Sequence, residues 1–322
     1  MAWDISTGSG MKSSPVVLGA TTYVVSGRRV LAVNAGSGTV IWRSEEGFVG
    51  SPASDAHYLF VLGINGSMHA LDIADGREVW TVDGSFHENA SPLAIDGLVI
   101  SGGNDGKLRA LDSTTGDERW SATFGGPVTR SAAAEGDVLF VGSDDGVFHA
   151  LSATTGTERW SKTTSGTHFA TPAVRDGIVY VSTGSSSPHE LLALDAATGQ
   201  MLWTFPAPAD SSSGMRSPSV DGGSVYISGI DAGLYAISRS HGSKTWTWNG
   251  AVVTEATIAI VGDSLFLFGA DGNAYVLDGT TGVERSHVPV GGVVAAGTTV
   301  AGGRLYAASD EGHFLAIVGS AP

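Results

Sequence analysis

Apolar residues recur along the chain in short runs, broken by turns rich in Gly, Asp and Ser, and no helical spacing persists anywhere. Phe314-Leu315-Ala316-Ile317 is one such run. The runs repeat at a fixed interval. Trp stands at 3, 42, 80, 120, 160, 203 and 246, and Ser286 takes the next equivalent place, with steps of 38 to 43 residues. The stretch after Ser286, joined to the residues before Trp3, makes one more repeat. The pattern thus closes on itself as a ring of eight units.

Each Trp ends a constant local pattern. Ten positions earlier stand Ala32, Ala70, Ala110, Ala150, Ala193 and Ala236, with Val276 in the seventh copy. Four positions earlier stand Gly38, Gly76, Gly116, Gly156, Gly199, Gly242 and Gly282. Leu-Asp-x-x-Thr-Gly reads as a β-hairpin turn in which Gly takes a positive φ and the short Asp, Asn or Ser side chain bonds back to the turn. Upstream, Ser14-Pro15, Ser51-Pro52, Ser91-Pro92, Ser131-Ala132, Thr171-Pro172 and Ser217-Pro218 open another strand, with Thr257 and Gly297 as relics. Nine residues on, an aromatic or Ile opens the next, and a second turn, often Asp-Gly, follows. Four short strands in each of eight units predict an all-β, eight-bladed β-propeller of antiparallel blades. Residues 2–5 hold a Trp strand without its hairpin partner, and 314–317 hold the partner without its Trp. The N-terminal strand is therefore expected to complete the last blade and protect its edge. That closure places the true start near residue 1, or marks a trimmed chain. Length alone points to two domains; the ring replaces that with one domain over 1–322.

This pattern, Ala-x-Asp-x-x-x-Gly-x-x-x-Trp, resembles the tryptophan-docking motif of the pyrroloquinoline-quinone-like (PQQ-like) eight-bladed propellers, over essentially the whole chain. The resemblance implies that Trp3, Trp42, Trp80, Trp120, Trp160, Trp203 and Trp246 are structural. Each would pack between the Ala of its own motif and the Gly turn of a neighbouring blade, a large aromatic burial. That family includes quinone-dependent alcohol and sugar dehydrogenases, a barrel-assembly lipoprotein that is a scaffold, and sensor domains of bacterial serine/threonine kinases. The dehydrogenases are longer, with an Asp base, Glu and Asn on calcium, and often a vicinal Cys pair. The sequence has no Cys, no long insertion and no such set, so neither PQQ nor calcium is expected. The compact sensor and scaffold members are the nearer match.

Composition narrows the partners. Gly counts 46 of 322 residues, as two tight turns per blade require. With no Cys there is no disulfide framework, thiolate metal site or lipid-bearing Cys. The formal net charge is −15, which argues against a nucleic-acid backbone as partner. The chain shows neither a long apolar run nor a secretory leader. No membrane insertion is expected, and the location is either cytoplasmic or that of an excised extracytoplasmic domain. A monomer is expected.

A propeller binds at its axis. The connection leading out of each Trp strand and the Asp-Gly turns belong to one face, taken as the top. Most residues just before the Ser-Pro positions are small. The exceptions predict a polar axial pocket: Lys12, His87, Glu88, Asn89, Arg130, His168, Arg216 and Glu255. Arg130 and Arg216 can clamp a carboxylate or phosphate. His168, His87 and Glu255 can serve as acid or base. Equally, these charges can neutralise one another around a water-filled channel. Asn104-Asp105-Gly106, Asp144-Asp145-Gly146 and Asp310-Glu311-Gly312 contain calcium-type oxygens, but hairpin turns alone account for them. Insertions at 184–190 and 206–214 are expected beside His168 and Arg216. Trp248, outside the docking pattern, is either blade-edge packing or an exposed anchor. The leading function is a non-catalytic binding module, taking a small molecule, a peptide or another protein at the channel mouth. The alternative is an enzyme acting on a small anionic substrate there, and a quinone-dependent dehydrogenase ranks below both.

Overall fold

The computed structural model describes residues 2–184, 189–206, 216–229, 233–251, 257–294 and 297–318. It contains eight four-stranded sheets. Blades 1 to 7 span 16–43, 48–82, 93–123, 133–163, 173–206, 219–248 and 259–289, each with its strands paired in chain order. Blade 8 takes three strands from 299–318 and its outermost from Trp3–Ser6, which pairs antiparallel with His313–Val318. The eight-bladed ring and its expected closure are therefore present. First strands of neighbouring blades approach one another around the axis, and the Trp strands form the rim.

The Trp residues of the motif pack in one repeated way. Trp42, Trp80, Trp120, Trp160, Trp203 and Trp246 each pair across the hairpin with the Ala or its equivalent, and a bulge follows directly in the partner strand. The ring then lies on the next blade's turn Gly. A Cβ added to Gly38, Gly76, Gly116, Gly156, Gly199, Gly242 or Gly282 would fall 2.5 to 2.9 Å from a Trp ring atom. Those glycines have φ between +66° and +78°. Two demands, a left-handed turn and a ring against the backbone, thus converge on the one residue without a Cβ. Each indole N–H also donates to a turn carbonyl of that blade: Ala35, Ile73, Ser113, Ala153, Ala196, Arg239 or Gly279, at 2.8 to 3.1 Å.

Three tyrosines of the second strands share these acceptors. Tyr23, Tyr226 and Tyr306 donate to Ile73, Gly279 and Ala35, beside Trp42, Trp246 and Trp3. Ser286 breaks the series for a topological reason. A Trp there would dock on blade 8, whose outer strands come from opposite ends of the sequence and share no hairpin. The core follows the same logic: each of eight apolar clusters joins two neighbouring blades. Trp248 belongs to one of them. It is 7% exposed and packs edge-on against Tyr275 at 4.9 Å, so it is packing, not an exposed anchor. Among the described residues no helix is long and apolar enough to cross a membrane.

Candidate functional site

Backbone bonds place the connections between blades over the second turns, on one face. Asn104 N–H donates to Ser85 O, Asp144 to Pro127 and Asp310 to Val293, at 2.8 to 2.9 Å. This is the face assigned to the channel mouth. Its residues fall into two neighbouring groups.

The first group lines a cleft of about 490 Å³ reached from the top of blades 8, 1, 2 and 3. Lys12, Glu88 and Asn89 lie on its wall, with Arg28 and Asp310 as further charges and Met11, Phe48 and Val49 as apolar lining. Lys12 and Glu88 belong to connections two blades apart. They share one cleft because the first strand of blade 2, between them, carries Gly50, at φ +72°, whose Cβ would sit 2.6 Å from Glu88 O. Arg28 is held at φ 66°, rare for a residue with a side chain. Its carbonyl accepts the N–H groups of Gly47 and Phe48, both at 3.0 Å.

The second group is centred on Asp144. Its Oδ1 accepts the Thr129 hydroxyl at 3.1 Å, and its Oδ2 lies 3.7 Å from His168 Nε2. The Asp144 carboxylate is largely covered, whereas His168 is exposed. His87 connects the two groups. Its Nδ1 accepts the N–H of Asn89 at 3.1 Å, which leaves the proton of the neutral ring on Nε2. Burial holds its pKa below the usual histidine value. Glu88 and Asp144 push the other way, and Arg130 adds to the lowering. Arg130 is exposed, with no ion-pair partner among the described residues.

Arg216 enters the face from blade 6. It is half-buried at the entry to blade 6, its N–H bound to Ser228 O at 3.1 Å and its carbonyl accepting the Ser182 hydroxyl at 2.7 Å. Glu255 and most of both insertions lie outside the described residues.

Asp144 was read from sequence as turn chemistry only. Its neighbour Asp145 does that work, accepting the Ser143 hydroxyl and the Val147 N–H. The residue two before the turn Gly instead faces the mouth. A signal exists in the repeat: this place holds Ile64, Asn104, Asp144, Ala270 and Asp310, so the turn does not dictate its chemistry. Asp310 there both lines the cleft and accepts the Val293 N–H at 2.8 Å.

The sequence matches the family model described as Outer membrane protein assembly factor BamB over residues 26–127, 104–217 and 185–321. The chain belongs to this family. The match supports its PQQ-like repeats. Among solved structures, BamB from Moraxella catarrhalis is similar at 21% identity and a TM-score of 0.80, over 97% of each chain. The computationally designed Ika8 protein is similar at 16% identity and 0.81, over 96% of each. Quinohemoprotein alcohol dehydrogenase from Comamonas testosteroni is similar at 17% identity and 0.76, over 95% of this chain and 71% of that one. No curated protein is significantly similar in sequence. At these identities the structural likenesses establish the fold. A designed protein and an enzyme on one scaffold show why the site must be argued from its own residues.

The cleft's lining is of mixed charge. PQQ is a planar polycarboxylate, and the cleft presents Glu88 and Asp310 against Lys12 and Arg28. Among the described residues no three His, Asp or Glu side chains converge as a cation site.

Proposed function

We propose that the protein is a non-catalytic interaction module, a scaffold or sensor propeller, whose partner inserts a peptide segment into the cleft beside the channel mouth. The lining of that cleft carries the reading. Two cations, two carboxylates, the Asn89 amide and an apolar floor are gathered in one concavity. A peptide supplies charges of both signs, main-chain donors and acceptors, and apolar side chains, and so complements every part of it. A small anion would meet Glu88 and Asp310 at the same entrance. The description of the matched family as an assembly factor supports a scaffold over an enzyme.

The test is a peptide array probed with the wild-type chain and with the charge-reversed variants Lys12→Glu and Glu88→Lys. Saturable binding to a subset of peptides, with a different subset for each variant, is the expected result. No saturable binding, or an identical subset for all three proteins, would overturn the reading.

A second reading rests on the other group. His168 beside Asp144, with Arg130 exposed nearby, offers an acid–base pair and a cation to a small anionic substrate. A thermal-shift screen against carboxylates and phosphates, repeated with Arg130→Ala, tests it. A ligand whose stabilising effect vanishes in the variant favours the enzyme, and no stabilising ligand removes it.

A further inference from the structure

The face opposite the mouth carries a second, independent feature. There the first and third turns of each of blades 1 to 7 are tied by one backbone bond, as in Arg239 N–H to Gly223 O at 3.0 Å and Gly279 N–H to Asp263 O at 2.7 Å. The residue making this bond also gives its carbonyl to the preceding blade's Trp. Its side chain stands at the edge of the gap between the two blades. Across the ring this position reads Ala35, Ile73, Ser113, Ala153, Ala196, Arg239 and Gly279.

Four gaps have a tyrosine wall, and three of them are filled from within the chain. Ile73 packs with Tyr23 and Trp42. Arg304 donates to Ala35 O, the acceptor also used by Tyr306. Between blades 5 and 6 the filling group is the Arg239 guanidinium. Its Nε donates to Tyr180 Oη at 3.0 Å. Its Nη1 donates to Asp176 Oδ2 at 2.9 Å, Gly222 O at 3.2 Å and Asp221 O at 3.3 Å, and its Nη2 to Arg175 O at 3.2 Å.

The fourth gap, between blades 6 and 7, has the same frame without the arginine. Gly279 stands where Arg239 does one blade earlier. What remains is a cavity of about 520 Å³ lined by Asp221, Gly222, Tyr226, Gly262 and Asp263, among others. Tyr226 occupies the place of Tyr180, and the backbone at 221 that of Arg175. Gly262 takes the place of Gly222. Asp221 supplies the carboxylate: its Oδ1 accepts the N–H groups of Gly223 and Ser224 at 2.7 and 2.6 Å, and its Oδ2 accepts the Tyr226 hydroxyl, shared with Gly279 O, at 2.7 Å. The Tyr226 oxygen keeps a lone pair for a donor. Asp263 is matched by Arg285 at 2.8 Å, whereas Asp221 has no ion-pair partner among the described residues.

We propose that the gap between blades 6 and 7 is a guanidinium-binding site, which receives from outside the group that Arg239 supplies from within in the preceding gap. The planar fork of a guanidinium suits several fixed carbonyls and a carboxylate better than an ammonium does. Its source is either an arginine side chain of a protein partner or a free guanidino compound.

The experiment is an NMR titration of the full ¹⁵N-labelled chain with N-acetylarginine amide, free arginine and N-acetyllysine amide. The reporters are the amides of Gly222, Gly223 and Gly262 and the Trp246 indole N–H, which donates to Gly279 O. Saturable shifts with the arginine probes, at Kd on the order of millimolar, and about 5-fold weaker binding of the lysine probe are expected. Gly279→Arg is expected to fill the gap and abolish the shifts. Its φ is not left-handed, and its Cβ would sit 3.0 Å from Tyr226 Oη, a fit that a few tenths of an ångström relieve. Asp221→Asn is expected to weaken binding about 10-fold. Tighter binding of the amide than of free arginine assigns the site to a protein partner, and the reverse to a small compound. No saturable shift at these reporters would overturn the proposal. Shifts unchanged in the two variants would do so as well. If Gly279→Arg does not fold by circular dichroism, Asp221→Asn decides alone.

Discussion

The contact between turn Gly and Trp ring can be dissected by a double-mutant cycle on Trp120 and Gly156. Gly156 has φ +70°, and an added Cβ would lie 2.5 Å from Trp120 Cε3 and 2.7 Å from Cδ2. Gly156→Ala therefore incurs two separable costs. A left-handed Ala costs about 1–2 kcal/mol, and forcing a methyl into the ring adds about 1–3 kcal/mol. Trp120→Ala removes a half-buried ring and its 2.9 Å bond to Ala153 O. It is expected to cost about 3 kcal/mol, the lower end for an aromatic truncation. With the ring gone, Gly156→Ala should retain only its backbone cost, so the double variant is more stable than the summed singles by about 1–3 kcal/mol. Gly97→Ala is the control. It has φ +76° with nothing within 4 Å of its added Cβ, and should cost about 1–2 kcal/mol whether or not Trp120 is present. Urea unfolding followed by far-ultraviolet circular dichroism measures all five variants, with equal m-values required. Additivity within about 0.5 kcal/mol would show that the ring does not select the glycine.

Two other outcomes follow from the same structure. Ser286→Trp should leave stability unchanged within about 0.5 kcal/mol in thermal unfolding, because blade 8 offers no hairpin Gly for the ring; a clear gain would contradict the docking argument. In acid, Asp112 is depressed from 3.8 to about 2, chiefly by its bond from Arg119, with the N–H groups of Thr114 and Thr115 helping. A depressed carboxyl stabilises the fold above its unfolded pKa and loses that contribution as pH falls through the folded value. Asp112→Asn should therefore be less stable at neutral pH, with the difference shrinking between pH 3.8 and about 2 and closing below it. A constant deficit across an acid titration by circular dichroism would refute the assignment.

The ring was legible because its determinants are severe and repeated. A Trp on a left-handed Gly leaves almost no substitutions, so seven copies survive as an unmistakable period. The gap at Ser286 was visible as a gap, but its cause needed the topology. Tyrosines that share the Trp acceptor carbonyl had looked like generic strand openers, since Phe60, Ile100, Phe140 and Phe266 take the same position. The mouth was legible by position and not by grouping. Lys12, Glu88 and Asn89, which precede Ser-Pro positions, line one cleft, and Gly50 lets the Glu88 backbone come close. Asp144 was hidden inside an Asp-Asp-Gly turn that already had a sufficient explanation.

The two faces of the ring differ in what their residues must do. On the Trp-docking face, backbone carbonyls accept the indole N–H groups, so the side chain at the accepting residue is relieved of any part in closing the ring. That freedom is visible in its range, from Gly279 through Ala153 and Ile73 to Arg239. One scaffold position thus sets whether a gap is greasy, self-filled by a cation or open, at no cost to the girdle. At the mouth, the place two before the second-turn Gly is similarly free, holding Ile64, Asn104, Asp144, Ala270 or Asp310. Recognition on this propeller is therefore expected to reside in positions whose backbone is fixed by the repeat and whose side chains the repeat ignores. The cleft beside Lys12 and Glu88 and the gap beside Gly279 meet that description on opposite faces. Because they share no residue, a partner bound at one leaves the other open to a second.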